Sequence, residues 1–361
     1  MALFIYVEKY PVCICYTFIM QSILSLKKID AVFEGGGVKG SALVGAVAAT
    51  EEAGYQFENV AGTSAGAIVA ALVAAGYTAA ELKKIIDELD YLQFQDPTVL
   101  SKIPVPFVGN ALSLLFLKGI YAGDFFEHWL GGLLAQKGIT TFRDFIIDDY
   151  KDDPKYRYKL QVIASDITNG ALLVLPGDAK EFGIEPDDMS VAKAVRMSMS
   201  IPYFYKPAVM RDGRGKSYIV DGGVLSNFPV WLLDDDTDLP AWPTIGYKLV
   251  DPNEHKPNRI YGPITLFGAL FSTMMEAHDA RYIKDADFVR TIPIPTLGVQ
   301  TTDFSIQKET KEALYQAGLA GGRDFFAKWN FTEYVKTYRM KPETHRTERL
   351  DDTMPKTNEI I

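Results

Sequence analysis

Hydrophobic residues recur along the chain in short blocks of two alternating kinds. Residues 28–33, 57–61, 160–164, 218–220 and 244–248 are compact runs rich in apolar, β-branched and aromatic side chains, the pattern of strands. Residues 41–52, 67–76, 79–90 and 190–199 are instead built largely from alanine, leucine and other helix formers. Strand and helix in alternation predict an α/β fold, a mainly parallel central sheet sandwiched by helices in a three-layer α/β/α arrangement. Residues 287–292 read as a last strand, and Thr302, Asp303 and Phe304 open a helix expected over about 305–329.

The length of 361 residues permits more than one domain, but the motifs described below run from the first strand to residue 221, which makes one large domain simpler. The expected organisation is an N-terminal apolar extension over 1–27, a hydrolytic α/β domain over 28–330 with an apolar cap segment at about 97–135, and a charged tail over 331–361, of which 341–361 is expected to be disordered or a docking segment. In the extension, Glu8, Lys9 and Pro11 interrupt the apolar run, and no small-residue cleavage site precedes Lys27 and Lys28. Met20 is an alternative start that would make residues 1–19 an artefact.

Two glycine-framed turns each join a strand-like run to an alanine-rich run, so both should leave one edge of the sheet. The second, Gly62-Thr63-Ser64-Ala65-Gly66, is a G-x-S-x-G. On a strand-to-helix turn this spacing throws the serine out of a sharp bend, and the flanking Gly62 and Gly66 remove the Cβ atoms that would clash there. A serine at such a turn also suits a plain helix N-cap. The first turn, Glu34 followed by Gly35, Gly36, Gly37, Val38, Lys39 and Gly40, satisfies G-x-G-x-x-G. Dinucleotide binding would want an acidic residue at the end of the next strand; Glu58 falls at its start, and the end is Gly62-Thr63-Ser64. A P-loop is excluded because Lys39 precedes the last glycine instead of following it. The remaining use is an oxyanion loop, consecutive N–H donors at a helix N-terminus where the dipole favours negative charge.

A serine nucleophile needs a base. His128 lies on an amphipathic helical run, His255 in a polar proline-containing stretch, His278 on a helical surface and His345 in the charged tail, so none has a strand-end context. Asp221 has one: Tyr218-Ile219-Val220 ends in Asp221-Gly222-Gly223. The same Asp-Gly step also serves as a hairpin turn.

The order of glycine-rich loop, G-x-S-x-G and D-G-G resembles the patatin-like phospholipase family. Further stretches are similar to it, namely 118–124, 197–204 and Asn227-Phe228-Pro229, so the likeness spans about residues 29–229. The resemblance implies Ser64 as nucleophile and Asp221 as base in a dyad without histidine, with Gly35 to Gly40 holding the oxyanion and Lys39 where the family has Arg or Lys. It implies a lipid acyl hydrolase that works through an acyl-serine on a lipid or membrane-derived acyl ester and needs no cofactor. Two alternatives stand beside it: an esterase in which Asp221 orients His255 or His278, and a lipid-binding regulatory protein without turnover.

A formal charge of −9 with no basic stripe argues against nucleic acid. The acidic run 234–238 lacks the glycine and distal glutamate of a calcium loop and reads as a solvated loop. No Cys or His cluster has metal-ligand spacing. Cys13 and Cys15 are the two cysteines and sit too close together to bridge, which fits a reducing, cytoplasmic setting. Residues 103–119 are nearly uncharged but too short and broken to span a bilayer. They read as core packing or as an apolar cap that covers an acyl chain or touches a membrane peripherally, with Tyr203, Phe204 and Tyr205 as further pocket lining.

Overall fold

The computed structural model describes residues 27–99, 114, 117–213, 215–234, 240–251, 260–262, 266, 269–270, 273–274 and 285–339. Its strands are β1 (Lys27–Phe33), β2 (Tyr55–Thr63), β3 (Gly119–Tyr121), β4 (Leu160–Asp166), β5 (Ala171–Leu175), β6 (Tyr203–Tyr205), β7 (Ala208–Asp212), β8 (Gly215–Asp221), β9 (Thr244–Val250) and β10 (Thr291–Pro295). The main sheet has the order β10-β9-β1-β2-β4-β8-β7, with β5 also paired to β4. From β10 to β4 every pairing is parallel; β5, β8 and β7 join antiparallel. The sheet is mainly parallel as expected and mixed at β4, which pairs with parallel β2 and then antiparallel β8 along one side and with antiparallel β5 along the other. β3 and β6 form a separate parallel ribbon.

Helices α1 (Gly40–Glu52), α2 (Ala65–Ala74), α3 (Ala79–Glu88), α4 (Asp124–Gln136) and α5 (Val191–Ser198) follow the strands and turns that begin them. α1 and α2 are buried on nearly all sides, which is why their sequences are almost uniformly small and apolar and lack an amphipathic stripe. Two shorter helices, α6 (Asp285–Val289) and α8 (Phe331–Tyr334), bracket the long α7 (Lys308–Phe326). α7 lies on α1 with glycines at the contact: a Cβ on Gly318 would run into the Ala42 carbonyl, and one on Gly45 into that of Tyr315. Gly318→Val is expected to cost about 2 kcal/mol or more in urea unfolding, because overpacking outweighs the better helix propensity.

Three expected boundaries move. Residues 285–289 are helical, and the last strand begins at Thr291: the Arg290 guanidinium reaches back to Asp287 (Nε–Oδ1 3.1 Å) and closes a helical turn. α7 starts at Lys308, later than expected, because Asp303 accepts the Ser305 N–H at 3.2 Å and makes a turn that competes with helix. Helical structure continues past 330 through α8 and a π turn over Val335–Arg339, with Tyr334 and Val335 buried. Asp234, expected in a solvated loop, is paired with Arg290 (Nη2–Oδ2 2.8 Å).

Residues 1–26 of the N-terminal extension, most of 103–119, the run 235–239, residues 340–361, both cysteines, and His255, His278 and His345 lie outside the described residues. Among the described residues no helix is long and apolar enough to cross a membrane. No group of three or more His, Cys, Asp or Glu among them is arranged to hold a metal.

Candidate active site

Strand register brings the separated motifs together. In the parallel β1–β2 pair Phe33 aligns with Gly62, so both glycine turns leave the sheet at the same edge. Thr63 aligns with Ile163 of β4, and β4 then continues to Asp166. β8 pairs with this overhang, Ile219 opposite Asp166 and Asp221 opposite Ala164. The aspartate thus reaches the edge from the opposite direction. Asp221 stands at the carboxyl end of its strand, but β8 runs antiparallel to β4, a pairing direction decided by tertiary packing. Asp221 leads into a 3-10 turn over Gly222–Val224, not into a hairpin.

Ser64 sits between β2 and α2 with φ 53° and ψ −125°, a conformation that costs a non-glycine residue about 1–3 kcal/mol. It occupies the N-cap position, yet its side chain caps nothing. Its Oγ donates to Asp221 Oδ2 at 2.7 Å and lies 3.6 Å from Met199 Sδ. Its N–H donates to Ser198 Oγ at 2.8 Å, which holds the bend from below. The bend itself needs two glycines: a Cβ on Gly62 would strike the Gly66 carbonyl, and one on Gly66 would strike the carbonyl of Phe33.

Both members of the pair are buried, Asp221 completely. Its second oxygen, Oδ1, accepts the Gly223 N–H at 2.8 Å, and its own N–H donates to the Ser200 carbonyl at 2.9 Å. Gly222 accepts from Ser165 Oγ at 3.2 Å, fixing the turn to β4. Burial pushes the Asp221 carboxyl up to about 7, against the opposing pull of its bonds from Ser64 and Gly223.

The glycine loop lies beside the serine, but most of its N–H groups are already engaged. Gly35 donates to the Asn227 carbonyl and Val38 to that of Thr301, each at 3.2 Å. Lys39 donates to Gly36 and Gly40 to Gly37 within the loop, and the Lys39 ammonium lies 3.7 Å from Asp251. Among the described residues, the N–H groups of Gly36, Gly37 and Ala65 have no protein acceptor. Gly37 holds a left-handed φ of 57°, and a side chain there would collide with the Thr301 carbonyl.

Sequence reasoning missed the groups that brace this loop. Glu34 is buried and accepts from Lys248 Nζ at 2.9 Å, from the Leu249 N–H and from Asn227 Nδ2 at 3.4 Å. Burial raises its pKa while Lys248 opposes the rise. Asn227 also donates to the Gly35 carbonyl at 3.2 Å. It belongs to the quoted Asn227-Phe228-Pro229 stretch, and Glu34 opens the quoted glycine turn, so a signal existed for both; for Thr301 and Lys248 none did.

The other two quoted stretches meet at Arg196. This buried guanidinium donates to the carbonyls of Gly123 (3.1 Å), Ala122 (2.6 Å) and Lys206 (2.9 Å) and to Ser200 Oγ. Ser200 is the residue whose carbonyl holds the Asp221 N–H, so the clamp supports the carboxylate. Phe204 stacks on Phe304 at 4.9 Å and packs on Tyr121, and Tyr203 is exposed. His128 is exposed on α4, with Nδ1 on the Asp124 carbonyl at 2.7 Å.

A strand-turn-helix serine bonded to a buried carboxylate beneath a glycine loop is the arrangement of an α/β acyl hydrolase. The family model described as patatin-like phospholipase matches residues 31–234, more than half of the chain. The protein therefore belongs to the patatin-like phospholipase family, and membership implies a lipid acyl hydrolase. It is 42% identical over 304 residues to YqhO, an uncharacterized protein of Bacillus subtilis strain 168, covering 84% of this chain and 99% of that one. It is 27% identical over 214 residues to Rv2565, an uncharacterized NTE family protein of Mycobacterium tuberculosis strain H37Rv, covering 59% of this chain and 29% of that one. Among solved structures, VipD from Legionella pneumophila superposes with a TM-score of 0.49 at 20% identity, over 84% of this chain and 67% of that one.

Proposed function

We propose that the protein is a phospholipase A-type acyl hydrolase or esterase in which Ser64 and Asp221 form the catalytic dyad. The observation that carries this is the direct 2.7 Å bond between the Ser64 hydroxyl and the buried Asp221 carboxylate. With one carboxylate oxygen on Ser64 and the other on Gly223, no position is left for an imidazole between serine and aspartate. That favours the dyad over a triad through His255 or His278.

Asp221 takes the Ser64 proton as Oγ attacks the ester carbonyl carbon. The oxygen that gains charge is held by the N–H groups of Gly36, Gly37 and Ala65, at the start of α1 and α2. Collapse of the tetrahedral intermediate breaks the bond to the alcohol, which leaves with the proton from Asp221, and the acyl group stays on Ser64. A water then gives its proton to Asp221 and attacks the acyl-serine, releasing fatty acid and restoring the hydroxyl. An ordinary aspartate is too weak a base for an alcohol; burial that raises its pKa to about 7 narrows the gap. A phospholipid is the first substrate to try.

The test is incubation of purified wild type and Ser64→Ala with mixed phospholipid micelles in the presence of chelator, with free fatty acid measured by mass spectrometry. Wild type should release fatty acid, and Ser64→Ala should lose on the order of 10⁴-fold of the rate. Release by the variant at a wild-type rate would end the assignment.

A further inference from the structure

An apolar cavity begins at the catalytic edge and leads inward. Its near end is formed by Gly37, Gly40 and Ala65, the chain neighbour of Ser64. It then follows one stripe of α2 through Ile68, Val69 and Leu72, the i, i+3, i+4, i+7 pattern of a single helix face. From Ala65 to Leu72 that stripe covers about 10 Å at 1.5 Å per residue, the reach of a medium-length acyl chain. The opposite wall is the apolar face of α3, including Leu82, Ile85 and Ile86. Phe94 and Trp129, whose rings meet edge to face at 5.3 Å, supply the bulkiest side chains of the lining. Tyr203, Phe204 and Tyr205, expected to line a lipid pocket, take no part in it.

We propose that this cavity is the acyl pocket and that Trp129, seated against Phe94, determines how long a chain it accepts. The inference rests on the Ser64–Asp221 dyad and deepens it. Gly37 and Ala65 supply two of the three open N–H groups and also frame the mouth. A carbonyl oxygen held there directs one substituent of its carbon toward Ser64's leaving-group side and the other into the cavity. With no charged side chain on its walls, the cavity suits a hydrocarbon chain and rejects a polar headgroup. Its free volume is about 40 Å³, well below the ~150 Å³ that houses a benzene in a dry protein cavity. As it stands it holds a short acyl group, and a longer chain enters only when Trp129 and Leu72 turn aside.

The test uses the full chain and p-nitrophenyl acetate and decanoate. Trp129→Ala should raise the decanoate-to-acetate ratio of kcat/KM about tenfold, and Leu72→Ala should move it the same way. Ile68→Trp, near the mouth, should lower it by a similar factor. Circular dichroism and thermal melts identify any variant that fails to fold, and the remaining ones still decide. A second readout needs no turnover: a brominated twelve-carbon fatty acid should quench tryptophan emission in wild type and in Ser64→Ala, with the quenching lost in Trp129→Phe. Quenching without hydrolysis of any ester would leave the pocket standing and remove the dyad. Serine-dependent hydrolysis with an unmoved chain-length ratio and no Trp129 quenching would overturn the pocket and leave the dyad.

Discussion

Asp221→Asn is expected to gain stability and lose catalysis in the same molecule. Its carboxyl moves from 3.8 to about 7 on folding because burial disfavours the charge. Between those values the folded protein holds a proton that the unfolded chain has lost, so this group erodes stability as pH rises from about 4 to 7 and by a constant amount above. The shift corresponds to about 4 kcal/mol on the alkaline side. Asparagine keeps the shape without the charge, and the lost charge-assisted bonds to Ser64 and Gly223 offset part of the gain. Urea unfolding should show Asp221→Asn more stable than wild type by about 1–3 kcal/mol at pH 8, with the gap closing toward pH 4. Asp30, another buried carboxyl raised to about 7, is present in both proteins and cancels in the difference. Turnover should fall on the order of 10⁴-fold, and wild-type kcat/KM should rise with pH through about 7 as Asp221 ionises. A stability gap that does not change with pH would show that the carboxylate is not buried as described.

Arg196→Met should be the most destabilising single change near the site, about 3–5 kcal/mol. The guanidinium is buried and donates to three carbonyls and one hydroxyl, so burial, which lowers its pKa, is balanced by dipoles. Methionine fills most of the volume and leaves the carbonyls of Ala122, Gly123 and Lys206 without that donor. The loss should appear in thermal melts of wild type and variant, and the variant that still folds should have lower kcat because Ser200 no longer fixes Asp221. Equal melting temperatures would show that water or the backbone can replace the clamp.

The sequence carries local structure clearly and cross-chain geometry poorly. β1, β2, α1 and α2 could be read because apolar runs and glycine turns are local events, and Ser64 and Asp221 stood out at the ends of such runs. The antiparallel entry of β8 could not be read, since a strand of seven residues pairs either way with a buried neighbour. Which N–H groups of the loop remain open depends on Asn227 and Thr301, which are remote in sequence and arrive only on folding. Arg196 is, in the sequence alone, no different from any last-turn cation of a short helix. The run 287–292 misled because Asp287 and Arg290 close a helical turn that apolar content alone does not reveal.

The β4 overhang has a consequence for which changes of chain length the enzyme can absorb. β2 pairs with Leu160–Ile163 and β8 with Ala164–Asp166 along the same side of β4, so Ser64 and Asp221 meet end to end there, and their 2.7 Å separation depends on two strand registers, β2 on β4 and β8 on β4. One residue inserted between Tyr218 and Val220 would displace the carboxylate by about 3.3 Å along the strand and turn it to the other face of the sheet. Loops can lengthen at small cost, whereas a single codon gained or lost in β8 ends the chemistry. In this molecule the reading frame of a strand, counted in residues, is what tunes the distance between Ser64 and Asp221.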